Sequence, residues 1–265
     1  MKTRLLVVAS LLTSLNGLLA DAVDASWTSR DAITKTANAT LGPAAISVTN
    51  ITNPSIGTAD FSTVEYSAAP LPAGSSALGN YAVGSNYTAT FSLPVSGLLI
   101  YAQFWNGNVG GTSPITYTFS QPFEILSGFG AATVIGNTLS LPAFQSGIIR
   151  FKNPVSTLSV AMNTSNTGGQ IMSFGVVPKT ATIAVTGTSK PKTKAKAYTL
   201  RGTADATYGI KSVTLKVGKK TLKAKGTANW SCRVKLAGKK TKVLIQAIAN
   251  SGEKTAISRV TITKK

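Results

Sequence analysis

Apolar residues recur at every second position through most of this chain, and no long stretch repeats them at the 3.6-residue period of a helix. A period of two sends successive side chains to opposite sides of an extended backbone, so each such run predicts a strand with one face in a core. In the first two thirds the pattern predicts strands at 45–49, 61–67, 87–93, 98–105, 115–120, 133–141, 147–151, 158–163 and 171–177, separated by Gly, Pro and Asn turns. That many short strands suit two packed sheets of the jelly-roll kind.

The last third repeats the pattern more cleanly, with strands predicted at 181–186, 197–204, 212–217, 221–225, 228–236, 242–249 and 256–263. Val213, Leu215 and Val217 point one way and Ser212, Thr214 and Lys216 the other. Val260 and Ile262 belong inside, with Arg259, Thr261 and Thr263 outside. The run 242–249 is apolar on both faces apart from Lys242 and Gln246, which predicts a central strand. The expected fold is all-β: two β-sandwich domains, jelly-roll-like at the N-terminus and immunoglobulin-like at the C-terminus.

Charge divides the chain in the same place. Residues 180–265 hold twenty of the 27 Lys and Arg residues against two acids, Asp205 and Glu253, whereas 26–179 hold five basic residues and four acids. The expected organisation is a leader at 1–25, a near-neutral sandwich at 26–179 and a basic sandwich at 180–265. Lys2 and Arg4 precede an apolar run that closes on the small residues Ala20, Ala22 and Ala25, the pattern of an export signal cleaved between Asp21 and Ser26. A secreted or cell-surface location follows, and no later run is apolar for long enough to span a membrane. The single cysteine, Cys232, excludes an internal disulfide and alternates with Trp230, Val234 and Leu236, as a buried small apolar residue does.

The basic third carries Leu200-Arg201-Gly202-Thr203-Ala204, Val213-Thr214-Leu215, Asn229-Trp230-Ser231, Leu236-Ala237-Gly238 and Ala247-Ile248-Ala249-Asn250-Ser251-Gly252. Through these segments it resembles the bacterial immunoglobulin-like repeats of secreted and surface proteins. The resemblance implies a seven-strand sandwich with Trp230 in its core, serving as spacer, adhesive module or enzyme appendage. Asn250 stands where many members carry Asp, so no calcium site is carried over, and the surplus lysine departs from a family that is often acidic. More loosely, Phe91-Ser92-Leu93-Pro94-Val95-Ser96-Gly97-Leu98 and Phe151-Lys152-Asn153-Pro154-Val155-Ser156-Thr157-Leu158 resemble strand-turn signatures of exported bacterial β-domains with sorting tails.

Histidine is absent, which removes the commonest general base and metal ligand and excludes histidine triads. Asp31, Asp60, Glu65 and Glu124 are scattered, and Asp60 and Glu65 fall on opposite faces of an extended segment. No cofactor or metal site is expected, and the chain reads as a non-enzyme. On 98–105, Leu98, Ile100, Ala102 and Phe104 face the core, leaving Tyr101, Gln103 and Trp105 as a candidate platform for a sugar ring. The alternative is a central strand buried on both faces.

The lysines form three clusters. Lys190, Lys192, Lys194 and Lys196 alternate through an extended loop that Pro191 restrains; Lys216, Lys219, Lys220, Lys223 and Lys225 surround a hairpin; Lys235, Lys239, Lys240 and Lys242 surround a third turn. Each contact with a polyanion releases counterions, so these clusters point to an anionic polysaccharide or other envelope polyanion. Extracellular nucleic acid fits without specificity, because few aromatics are interleaved to stack on bases. Arg201, Arg233 and Lys235 are placed on one outer sheet and Lys216, Lys223, Lys225 and Arg259 on the other, a spread that favours general adhesion over one pocket. Two other functions stay open: a sugar-processing, enzyme-like sandwich with a targeting appendage, and a purely structural matrix component. Asn38, Asn50, Asn86, Asn163 and Asn229 each begin an N-x-S/T pattern.

Overall fold

The computed structural model describes residues 22–80, 86–104, 115–142, 145–163 and 170–265. Its first half is a sandwich whose core strands are β6 (Ser75–Asn80), β7 (Asn86–Val95), β8 (Leu98–Phe104), β9 (Ile115–Phe119), β12 (Thr138–Leu141), β13 (Gln145–Phe151), β14 (Val155–Asn163) and β15 (Gln170–Val176). One sheet runs β6-β15-β8-β13 and the other β7-β14-β9-β12. The chain changes sheet between β6 and β7, β7 and β8, β8 and β9, β12 and β13, β13 and β14, and β14 and β15. That interleaving of two antiparallel four-strand sheets is the jelly roll.

Additional strands widen both sheets. β5 (Pro54–Ala59), β10 (Phe123–Gly128) and the short β1 (Val23–Asp24) extend the first, which is seven-stranded. β2 (Ser26–Asp31), β3 (Thr36–Leu41), β4 (Ala44–Thr49) and β11 (Thr133–Ile135) make the second eight-stranded. β3 is hard to see in the sequence because its inward residues are small: Ala37 and Ala39 are fully or nearly fully buried. Among the described residues strand pairing begins at Val23, ahead of the expected start at residue 26.

The segment 61–67, expected as a strand, is instead a short 3₁₀ turn at Val64–Tyr66 within a loop. Its apolar side chains do not line one sheet face. Phe61 and Tyr66 pack edge to face, with ring centroids 5.1 Å apart, and with Ala69 and Leu71 they cover the outer face of the seven-stranded sheet. Leu99, Tyr101 and Ile148 lie beneath them, so this sheet is buried on both sides.

The second sandwich has one sheet of β16 (Thr182–Val185), β18 (Ala197–Asp205) and β21 (Asn229–Lys235), in that order. The other runs β17 (Lys192–Thr193), β23 (Ser258–Lys264), β22 (Lys240–Ala249), β19 (Ile210–Val217) and β20 (Lys220–Lys223). The eight strands split between two sheets, with β22 flanked by β19 and β23, form the immunoglobulin-type arrangement, in which β16 and β17 are two parts of one first strand that crosses from one sheet to a parallel edge position in the other. β22 is central as its sequence predicts, yet only one of its faces is core: Val243, Ile245, Ala247 and Ala249 are fully buried, while Leu244 is 37% exposed. Trp230 is buried over Gly202, its partner on β18; a Cβ there would collide with the indole and with the Ala184 carbonyl. Cys232 is buried in the same core, and burial pushes its thiol pKa up.

Candidate polyanion interface

Register decides which lysines share a face. In the five-stranded sheet of the second sandwich, Lys192 on β17 aligns with Thr263 on β23, which aligns with Lys240 on β22. One pleat along, Lys242 lies beside Thr261. In the next row Arg259, Leu244, Lys216 and Thr221 stand side by side across β23, β22, β19 and β20. Lys223 follows beside Thr214, which pairs with Gln246. The buried partners Val243, Leu215, Val260 and Ile262 point into the core, so all of these point outward.

Six cations therefore occupy one sheet face: Lys192, Lys216, Lys223, Lys240, Lys242 and Arg259, all exposed. No carboxylate takes an outward position on the described strands of that sheet. Strands about 4.8 Å apart and alternate residues about 6.8 Å apart place neighbouring cations roughly 7 to 10 Å from one another. Lys240, Lys242, Lys216 and Lys223 step diagonally across three strands. This track is extended, shallow and of one sign, a shape that suits a linear polyanion rather than a small ligand.

Each lysine cluster contributes only in part. Lys192 enters the sheet, but bends at 194–196 break the alternation, so Lys190, Lys192, Lys194 and Lys196 do not form one extended row. The reason is the crossover: the Leu236 amide donates to the Lys196 carbonyl at 3.0 Å, drawing that end of the loop toward β21. Lys219 sits at the tip of the β19–β20 turn beside Gly218, whose φ of 57° the tight hairpin requires. Lys220 pairs with Val217 at the hairpin end, and Lys239 precedes β22 in a turn; both are exposed.

Lys225 belongs with the other sheet. It exchanges backbone hydrogen bonds with Ser231 on β21, at 2.8 and 2.9 Å, so the chain beyond β20 has already changed sheets. The opposite outer face carries Arg201, Arg233 and Lys235 together with Asp205, and is the weaker cationic surface. Arg259 is the member that the lysine clusters omit. Its alternation is visible in the sequence, but its place beside Leu244 depends on which strands pair.

The sugar platform does not form as expected. Tyr101 is fully buried, in ring contact with Phe61 and Tyr66, and its hydroxyl donates to the Ala69 carbonyl at 2.6 Å. β8 is a central strand roofed by 61–71, so the face opposite the core is a second core. Burial drives the Tyr101 pKa far up, which keeps the phenol a neutral donor. Gln103 is half-buried, and Trp105 lies outside the described residues.

Among the described residues no group of three His, Cys, Asp or Glu is placed to hold a metal ion. Six acids have structural partners. Asp31 accepts from the Ile33 and Thr34 amides, and Asp60 from the Ser62 amide and hydroxyl. Glu65 accepts from the Thr63 hydroxyl, and Glu124 binds Arg150 and Lys152. Asp205 binds Lys179, and Glu253 accepts from the Ala181 amide. The five sequon asparagines are all exposed. No described helix is long and apolar enough to cross a membrane, and residues 1–21 of the leader expected at 1–25 lie outside the described residues.

No protein-family model matches this sequence, and no curated protein matches it. Solved structures give loose likenesses. Fibronectin(III)-like modules of Clostridium thermocellum CbhA align at 16% identity over 69% of this chain and 86% of theirs, with a TM-score of 0.29. The N-terminal domain of the Streptococcus gordonii adhesin Sgo0707 aligns at 8% identity over 87% of this chain and 79% of its own, with a TM-score of 0.34. The adhesin domain of Epf from Streptococcus pyogenes aligns at 8% identity over 93% of both chains, with a TM-score of 0.27. Such scores transfer neither activity nor ligand, and the fold rests on the strand order itself.

Proposed function

We propose that this chain is an exported, non-enzymatic surface or matrix protein that attaches to an anionic polysaccharide or comparable envelope polymer through the outer face of its basic sandwich. The first sandwich is then the presented module. The observation that supports this most is the convergence of Lys192, Lys216, Lys223, Lys240, Lys242 and Arg259 on one face without an outward carboxylate. Self-repulsion among six cations opposes folding, and a polymer that replaces small counterions removes that repulsion.

The test is heparin titration of the whole protein across a salt series. Replacing Lys216 and Lys242 by Ser should weaken binding and flatten the slope of log K against log salt by about 1 to 2. Replacing Arg201 and Arg233 on the opposite face should do less. Equal loss from the two pairs would reduce the site to diffuse electrostatics, and no binding at low salt would overturn attachment.

A further inference from the structure

Three of the five basic residues in the first sandwich line one cleft. Arg150, Lys152 and Lys179 border a cavity of 720 Å³ at the junction of the two sandwiches, a volume in the usual range for small-molecule sites. Its walls come from the β7–β8 turn, the end of β13, the connection after β15 and Asp205 at the end of β18. The opposite edge is formed by Ala68 and Ala69 after the 3₁₀ turn.

Two features of the lining point to one chemistry. The charges do not cancel: Glu124 serves both Arg150, whose Nε donates at 2.6 Å, and Lys152, whose Nζ lies 3.2 Å away. Lys179 is matched one to one by Asp205 at 2.5 Å. One cation at the Glu124 end is therefore in excess, and a guanidinium has donors to spare for a second carboxylate. The rest of the lining is apolar, with Leu99, Leu126, Phe151 and Val177 among it, and Ser96 is its one uncharged polar side chain. Along that apolar wall a sugar's hydroxyls would meet no partners, whereas an aliphatic chain needs none.

We propose that this cleft binds a monocarboxylate with an aliphatic body, the carboxylate at Arg150 and Lys152 and the chain along Leu126 and Val177. The site is independent of the cationic sheet face. It holds only when the two sandwiches are docked, because Asp205 and Lys179 close one wall.

Octanoate is the probe, with 1-octanol as its uncharged twin, titrated into the whole protein by calorimetry while leucine and valine methyl resonances are followed. Octanoate should saturate and move the Leu126 and Val177 methyls, and octanol should bind more weakly. Lys152→Ala should weaken octanoate about tenfold and leave octanol unchanged, since only the charge-assisted contact is lost. Ala68→Phe, which fills the cleft from a half-buried position, should abolish both. The double replacement at Lys216 and Lys242 should change neither, so a failure here is separable from a failure of polymer attachment. Octanoate binding no tighter than octanol, shifts confined to other methyls, or no saturable binding would overturn the proposal; the methyl shifts decide it even if Ala68→Phe fails to fold.

Discussion

Glu124 shows how one side chain ties charge to stability. Arg150 and Lys152 both hold its carboxylate, chiefly through hydrogen bonds, and keep its pKa below the usual glutamate value. A depressed native pKa contributes stability that is present above the unfolded value of about 4.3 and is lost as pH falls through the native one. Glu124→Gln should therefore lower the melting temperature at neutral pH and close the gap to the parent protein below about pH 4. A gap that persisted undiminished into acid would mean that the carboxylate contributes by shape alone. Tyr101 carries the opposite lesson. Alternation places it away from the core, and only the roof of Phe61 and Tyr66 turns that outer position into an interior one.

Strand β1 bears on where the expected leader would be cut. Val23 pairs with Val176 and Asp24 with Gly175, and the fully buried Ala25 donates its amide to the Phe174 carbonyl at 2.7 Å. Cleavage before residue 26 would delete this strand and put a charged amine beside the sheet, at the desolvation cost of an unpaired charge. The small residues Ala20 and Ala22 fit a cut ahead of Val23. The intact mass of secreted protein should give an N-terminus at Val23 or earlier; a start at Ser26 would contradict this. In the basic sandwich, strand identity was legible and strand neighbours were not. Periodicity names the outward residues of β19, β22 and β23, but ladder order makes Lys216, Leu244 and Arg259 a row, and the switch of sheets beyond β20 moves Lys225 away from them.

The two sandwiches dock through a tyrosine. Tyr208, in the β18–β19 connection, is 7% exposed and packs into the hydrophobic core of the first sandwich, against the β3–β4 turn at Gly42. A side chain at Gly42 would strike its hydroxyl, and φ there is 54°, so glycine suits both the turn and the approach. Two bonds cross the junction, the Ser96 amide donating to the Thr207 carbonyl at 2.8 Å and the Lys179 amide to the Thr207 hydroxyl at 2.9 Å, while within the basic sandwich Asn250 Nδ2 donates to the Tyr208 carbonyl at 2.7 Å and holds the loop that carries the tyrosine. Tyr208→Ala should remove about 3 kcal/mol of packing and uncouple the halves. Calorimetry should then resolve two unfolding transitions where the parent shows one. A single transition in the variant would mean that the remaining bonds suffice to couple them.

Alternation, turn residues and the step in charge determine the all-β class, most strands of the basic half and the side of each strand on which its lysines stand, because these depend on spacing along the chain. Strand order, the sheet change at Lys225, the roof over Tyr101, the cleft at Arg150 and the docking of Tyr208 arise only when distant segments meet. Hydrogen-bonded ladders and close packing join residues many positions apart, and period-two patterning is the same whichever strands become neighbours.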